Sequence, residues 1–311
     1  MKTLCIYHSK DLDGICSGAI MQLALPGATM YPYDYGQPFD LNIIDEETTV
    51  YMADVSMPMP VMEEIAKRSM CFTWIDHHKT TKDQFNSHFY ESSHELVTPI
   101  PIIEIGKAAC ILCWEFFFPK KPIPQGVYLL GQYDIWANSN KSFWNGIILP
   151  FQWGMRTRPC TLDAFPEIDL LNRVDWIDTQ IGKGRLILDY QQQQNAGAVK
   201  FAAFEAEIVY VTEKQNLDYL VCICCNAGQH NSLLFDAYDT SEYDMLVVFT
   251  FNGENWKFSL FTDKPEIDCG KVAKYFGGGG HKGAAGFRTV ENPFAVVFTE
   301  VRKPVLMKAK K

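Results

Sequence analysis

The chain has 311 residues, 47% of them hydrophobic and 21% charged; this composition excludes a disordered polymer, and the length suits two packed cores better than one. Its formal charge of −9 argues against sequence-independent binding of long nucleic acid, which rests on many phosphate contacts. No apolar run reaches the length of a membrane span, and the opening MKTLCIYHSKD lacks the apolar stretch and cleavage site of a signal peptide, so a cytoplasmic protein without a membrane partner is expected.

In chain order, Thr3–Tyr7 reads as a buried strand, followed by a loop and a helix from about Gly14 to Leu25. Thr29–Tyr33, Thr49–Ala53 and Met70–Ile75 are further short strands. Helices are predicted over Lys107–Phe118 and from Gln125 to Asp134, with Pro119, Pro122 and Pro124 punctuating between them. This alternation predicts an α/β domain built on a parallel sheet. The pattern breaks around Arg156–Pro166, and Leu170–Ala203 then reads as a long helix joining two domains. Strands recur at Ala206–Val211, Leu220–Cys225, Met245–Phe251 and Trp256–Phe261, and a short helix over Lys271–Phe276 runs into four glycines. The expected division is therefore 1–165, a linker helix over 166–203, and a smaller α/β domain over 204–311. The ten cysteines are scattered, several of them inside apolar runs such as YLVCICC; Cys110 and Cys113 form a C-x-x-C without a second pair at zinc-site spacing. They read as reduced, buried thiols.

Four polar clusters each follow an apolar run. In parallel α/β sheets such positions converge, because the ligand crevice lies beyond the carboxyl ends of the strands. The first is His8-Ser-Lys-Asp11-Leu-Asp13-Gly14; one carboxylate would suffice to cap the following helix, and here there are two plus an imidazole. The second is Asp54 in MADVS. The third is Asp76-His77-His78 in FTWIDHHKTT, whose adjacent imidazoles point in different directions, so that one can ligate a cation while the other faces substrate. The fourth is Asp134 in LLGQYDIW. Oxygen and imidazole donors without thiolate suit Mn²⁺ or Mg²⁺ better than structural zinc. A pair of such ions can activate water and clamp a phosphoryl group.

HSKDLDG, ADVS, WIDHH and QYDIW, in that order, resemble the four motifs of the DHH phosphoesterase superfamily, and GGGGHKGAAGF resembles the signature of the DHH-associated domain. The resemblance spans nearly the whole chain. It implies a catalytic domain over 1–165, a substrate-gripping domain over 204–311, and an active site in the cleft between them. Carried over by position, His8, Asp11 and Asp54 would hold one divalent cation, and Asp13, Asp54, His77 and Asp134 a second, with Asp54 bridging. Asp76 would orient His77; His78 would face the substrate phosphate. Mn²⁺ is the expected cation, with Mg²⁺ or Co²⁺ as alternatives. Among relatives, the compact length resembles the nanoRNase branch, in which dimers are common.

The glycine run offers a backbone that can approach a phosphate closely, so Gly278, Gly279, Gly280 and His281 are expected to contact substrate; the competing reading is a hinge or a helix C-cap at Gly277. Many relatives carry an Arg where Phe261 stands here. Phe261 reads either as a core aromatic or as a base-stacking residue, with Arg156 or Arg158 as a replacement guanidinium.

The favoured function is an Mn²⁺-dependent phosphodiesterase that cleaves short oligonucleotides or dinucleotides by attack of a metal-bridging hydroxide. The alternatives are a nucleotide phosphomonoesterase acting on 3′-phosphoadenosine 5′-phosphate, a cyclic-dinucleotide phosphodiesterase, a polyphosphatase, and a nucleotide-binding regulator on an inactive scaffold. His88, His94 and His230 have no matching ligand spacing and read as surface residues.

Overall fold

Apolar runs separated by amphipathic segments lay down five parallel strands in the first part of the chain: β1 (Lys2–His8), β2 (Thr29–Tyr33), β3 (Thr48–Ala53), β4 (Cys71–Asp76) and β5 (Ile100–Ile103), in the order β2-β1-β3-β4-β5. The computed structural model describes residues 2–90, 97–212, 215–227, 233–280 and 282–302, and the chain divides into two compact units, Met1–Leu188 and Asp189–Lys311. Strands β3 and β4 are buried on both faces, so their sequences TTVYMA and CFTWID read as continuous apolar runs rather than as alternation. On one face, helices α2 (Met59–Arg68) and α3 (Lys79–Phe89) close a core that includes Met52, Met62, Trp74 and Phe85. On the other, α1 (Leu12–Ala24) and α4 (Ala109–Phe117) pack on each other and on β1, β3 and β4, with α5 (Gln125–Asp134) beside them.

Helix α1 sits unusually close to β1. A Cβ on Gly14 would lie 2.3 Å from the His8 carbonyl oxygen and 2.5 Å from His8 Cβ, so only glycine permits the approach. After α5, a short helix α6 (Lys141–Phe143) continues through a π turn at Trp144–Ile148 into α7 (Leu149–Met155). The long helix expected over 170–203 is α8 (Val174–Ala202), and the boundary between the units falls inside it.

The second unit is a seven-stranded sheet, β6 (Ala203–Val211), β7 (Leu217–Asn226), β8 (Met245–Phe251), β9 (Trp256–Phe261), β10 (Gly279–Gly280), β11 (Ala284–Thr289) and β12 (Phe298–Arg302), in the order β10-β11-β9-β8-β7-β6-β12. Among the described residues of this unit, only the β7–β8 pair is parallel. Helix α9 (Cys269–Tyr275) covers one face over a core of Phe249, Phe258, Leu260, Val272 and Phe287, and a short α10 (Pro293–Val296) leads into β12. All ten cysteines are free thiols, and burial raises Cys110 and Cys113 well above the usual range, as suits packing residues rather than nucleophiles. No helix among the described residues is long and apolar enough to cross a membrane.

Candidate metal centre

The strand order reverses direction between β1 and β3, so the loops leaving these two neighbours diverge and leave a crevice at their carboxyl ends. His8 ends β1, and Asp54 follows β3. Asp54 is held at φ 60°, a left-handed conformation that Asp tolerates better than most residues, while its N–H donates to Ile75 O at 3.0 Å. Asp76 ends β4 and passes directly into His77 and His78. Asp13 sits in the first turn of α1, and Asp134 is the last residue of α5.

These residues meet. His8 Nδ1 lies 2.7 Å from Asp11 Oδ2 and 3.5 Å from Asp54 Oδ2. His77 Nε2 lies 3.4 Å from Asp54 Oδ1, 3.7 Å from Asp13 Oδ2 and 3.2 Å from Asp134 Oδ2. Three groups of side chains offer donor atoms within 4.8 Å of one another: His8, Asp11 and Asp54; Asp13, His77 and Asp134; and Asp54, His77 and His78. Asp54 thus faces one donor set through Oδ2 and another through Oδ1.

The charge balance of the cluster calls for cations. Among the described residues, no lysine or arginine forms an ion pair with Asp11, Asp13, Asp54 or Asp134; their partners are imidazoles. Burial and the Asp13 charge hold the Asp54 carboxyl well above the usual carboxylate range, and removal from water, Asp13 and Asp54 do the same to Asp134. Burial pulls the His8 imidazole down, but hydrogen bonds to Asp11 and Asp54 outweigh it and raise it to about 10. Asp11 is lowered because His8 and the Gly14 N–H outweigh its burial. Anionic oxygens crowded together out of water are costly unless compensated, and hard divalent cations compensate them. These side chains can hold metal ions.

The structure confirms the helix cap expected of the first motif and adds details that were not visible in the sequence. Both carboxylates of the first motif have structural work as well. Asp11 caps α1 by accepting from Gly14 N at 2.9 Å, and Asp13 reaches across the fold to cap α4, accepting from Ala109 N at 2.9 Å and Cys110 N at 2.8 Å. Asp76 accepts from the backbone N–H groups of His77 and His78, but the ring it touches is that of His78, with Nδ1 2.8 Å from Asp76 Oδ1. Asp76 thus meets His77, the residue it was expected to orient, at the backbone N–H, and its ring contact is with His78. Burial lowers the His78 imidazole, yet Asp76 outweighs it and raises it. Two further residues come from the turn after β2, Asp34, whose Oδ1 lies 3.4 Å from His8 Nε2, and Tyr35, whose ring packs edge-on to His8 at 5.6 Å. Their one sequence signal was their position just past a strand of the same sheet.

Arg158 donates through Nη1 to Gln180 Oε1 at 3.1 Å and lies over Trp176 at 5.4 Å, tying its loop to α8. His88 pairs with Glu63 at 3.1 Å; His94, His230 and His281 lie outside the described residues. In the second unit the first glycines end α9. Gly277 has φ 81°, its N–H donates to Lys274 O, and the Gly278 N–H donates to Ala273 O, the hydrogen-bond pattern of a Schellman cap. Gly279 and Gly280 pair with Gly286 and Ala285. A cavity of about 600 Å³ adjoins this segment, bordered by Gly278, Gly279 and Phe261 and by Lys257 and Arg288, which stand directly opposite each other on β9 and β11. Phe261 also packs partly against a core cluster containing Leu234 and Val248.

No protein-family model matches the chain. An uncharacterised protein, R106, of Acanthamoeba polyphaga mimivirus is 24% identical over 300 residues, a match covering 90% of this chain and 66% of that protein. Similar solved structures include an uncharacterised protein from Helicobacter pylori G27, with 14% identity and a TM-score of 0.40 over 93% of both chains. A pGpG-specific phosphodiesterase from Vibrio cholerae has 13% identity and a TM-score of 0.49 over 95% of both chains. An exopolyphosphatase-related protein from Bacteroides fragilis has 14% identity and a TM-score of 0.47 over 94% of this chain and 88% of its own.

Proposed function

We propose that the protein is a two-metal phosphoesterase that hydrolyses phosphodiester bonds in dinucleotides or very short oligonucleotides. The observation that carries this reading is Asp54, whose two oxygens lie 3.5 Å from His8 Nδ1 and 3.4 Å from His77 Nε2, between two separate donor sets. His8, Asp11 and Asp54 would hold one divalent cation, and Asp13, Asp54, His77 and Asp134 the other, with Mn²⁺ the proposed ion. When bound, such a pair supplies water activation and neutralises phosphoryl charge.

The chain's own residues divide the remaining work. Asp76 holds the His78 ring through Nδ1 at 2.8 Å and raises its imidazole against the effect of burial, which favours the charged donor form that a phosphate oxygen would accept from. Asp34 and Asp11 fix the two nitrogens of His8 in direction. In the second unit, Lys257 and Arg288 are like charges placed opposite each other without an acidic partner among the described residues, an arrangement that favours an anion. We assign the cavity they border, with Gly278 and Gly279, to a substrate phosphate. The net charge of −9 keeps the substrate short.

The test is Asp54→Ala, assayed for Mn²⁺ content and for turnover of a labelled dinucleotide, a 24-mer, 3′-phosphoadenosine 5′-phosphate, a cyclic dinucleotide and polyphosphate. The expected outcome is hydrolysis of the dinucleotide but not the 24-mer by the wild type, and loss of both cations and all activity in the variant. Metal-dependent turnover retained in Asp54→Ala would overturn the assignment. Nucleotide binding by the wild type with no turnover of any substrate would favour a regulator.

A further inference from the structure

We infer that Trp136, with Tyr133 and Arg156, forms a shelf beside the metal centre that stacks on a nucleobase of the substrate; this inference rests on the phosphoesterase reading and narrows its substrate to base-bearing phosphate esters.

Helix α5 ends on Asp134, and the chain turns sharply just beyond it. Trp136 N donates to Tyr133 O at 3.0 Å and Ala137 N to Gln132 O at 3.0 Å, so Trp136 occupies the left-handed position of a Schellman turn, with φ 55°. Glycine is the usual occupant of that position, and a bulky side chain there is a conformational outlier. Only two other non-glycine residues among those described have positive φ, and one of them is Asp54. A glycine would end α5 without this cost, so the indole must bring something in return.

Core packing accounts for only part of the return. Trp136 meets Trp144 edge-on at 4.8 Å and Tyr133 at 5.8 Å, while Trp144 is itself buried and lies parallel to Tyr133 at 5.6 Å. These contacts fix the indole in place, yet Trp136 remains 44% exposed. A rigid, anchored and still accessible indole is what base stacking requires. It stands two residues past Asp134, whose Oδ2 is 3.2 Å from His77 Nε2, so the same helix end carries both the candidate ligand and the indole. The third member supplies charge. The Arg156 guanidinium lies 5.3 Å from the ring centres of both Tyr133 and Trp153 and donates to Tyr133 Oη at 3.5 Å. No carboxylate among the described residues pairs with it. An aromatic surface joined to an uncompensated guanidinium matches a nucleotide, with its flat base and anionic phosphate; inorganic polyphosphate has nothing to place on the indole.

The experiment uses the full chain loaded with Mn²⁺ and two probes, the 5′-phosphorylated dinucleotide pApA and its counterpart lacking both bases. Selectivity is the ratio of kcat/KM for the first to that for the second. Trp136→Gly is the informative variant because it suits the backbone conformation; its melting temperature is recorded to show that it folds. Stacking of one base predicts that selectivity falls by about 5- to 150-fold in Trp136→Gly, chiefly through KM, and is largely restored in Trp136→Phe. Unchanged selectivity in a folded Trp136→Gly would overturn the shelf while leaving the phosphoesterase reading intact. If the wild type cleaves neither probe, AMP binding followed by calorimetry decides. Binding weakened by Trp136→Gly would support the shelf and sink the hydrolase reading; binding indifferent to the variant, or no binding, would overturn the shelf as well.

Discussion

Removing the Asp13 side chain should damage the fold and the metal centre by separable amounts. In Asp13→Ala the N–H groups of Ala109 and Cys110 lose their acceptors at a site where Asp13 is 3% exposed. Each orphaned buried donor costs about 1–3 kcal/mol, or about 2–6 kcal/mol for the pair. Loss of the Asp13 charge relieves part of this, because that charge helps to push Asp54 up. A net destabilisation of about 2–4 kcal/mol remains, corresponding to about 4–16 °C in melting temperature for a unit of this size. Asp134→Ala is the control: it removes a carboxylate from the same cluster, with its side chain 28% exposed and without an α4 cap to lose. Urea unfolding of both variants in EDTA isolates the fold from the cations, and metal analysis in Mn²⁺ reads the centre. Both variants should lose bound metal, but only Asp13→Ala should unfold at markedly lower urea in EDTA. Equal midpoints in chelator would refute the claim that Asp13 holds α4.

Other outcomes follow from the same geometry. Gly14→Ala would place its Cβ 2.3 Å from the His8 carbonyl, where backbone cannot yield, so a loss of about 1–3 kcal/mol together with weaker Mn²⁺ binding is expected; a melting temperature and metal content equal to wild type would count against the close approach. His8, raised to about 10 in the metal-free chain, carries a proton at neutral pH that it must release to ligate a cation. Mn²⁺ affinity should therefore fall as pH falls, and calorimetry in two buffers of different ionisation enthalpy should detect the released proton; zero release would contradict the ligand role. Asp45 is held down at about 2, below its ordinary value of 3.8, by its hydrogen bonds from Lys2 and Thr48. Its contribution to stability is present above pH 3.8 and lost as pH falls toward 2. Asp45→Asn should flatten that part of the acid limb of a urea midpoint-versus-pH curve, whereas an unchanged limb would show that the exposed pair contributes nothing.

Elements with strong apolar periodicity were legible in the sequence, and those whose cues conflict were not. Strands β1 to β4 and β6 to β9 and helices α1, α4, α5 and α8 correspond to predicted segments because burial on one or both faces writes itself into the residue pattern. Helix α2 escaped because Pro58 and Pro60 at its start look like loop punctuation, although proline is well placed in a first helical turn. Helix α3, KTTKDQFNSHF, shows only Phe85 and Phe89 as a core-facing pair. Strand β11, AAGFRT, sits at a glycine-rich edge with Phe287 as its one large buried side chain. For the centre, residue type and strand-end position identified the side chains that now lie together. Asp34 and Tyr35 were missed because the turn after β2 carries no repeated motif, and the capping of α4 by Asp13 joins residues 96 positions apart, beyond the reach of any local pattern.

The four glycines after α9 are not interchangeable, which gives the segment a practical use. Added side chains would collide with Gly286 O at 2.1 Å from position 278 and with Ala285 Cα at 2.6 Å from position 280, while position 277 demands a left-handed turn. Gly279 alone of the four has neither a positive φ nor an atom within 4 Å of an added Cβ. A cysteine installed there offers a foothold for a fluorophore at the lip of the cavity, able to report what enters without unravelling the helix end behind it.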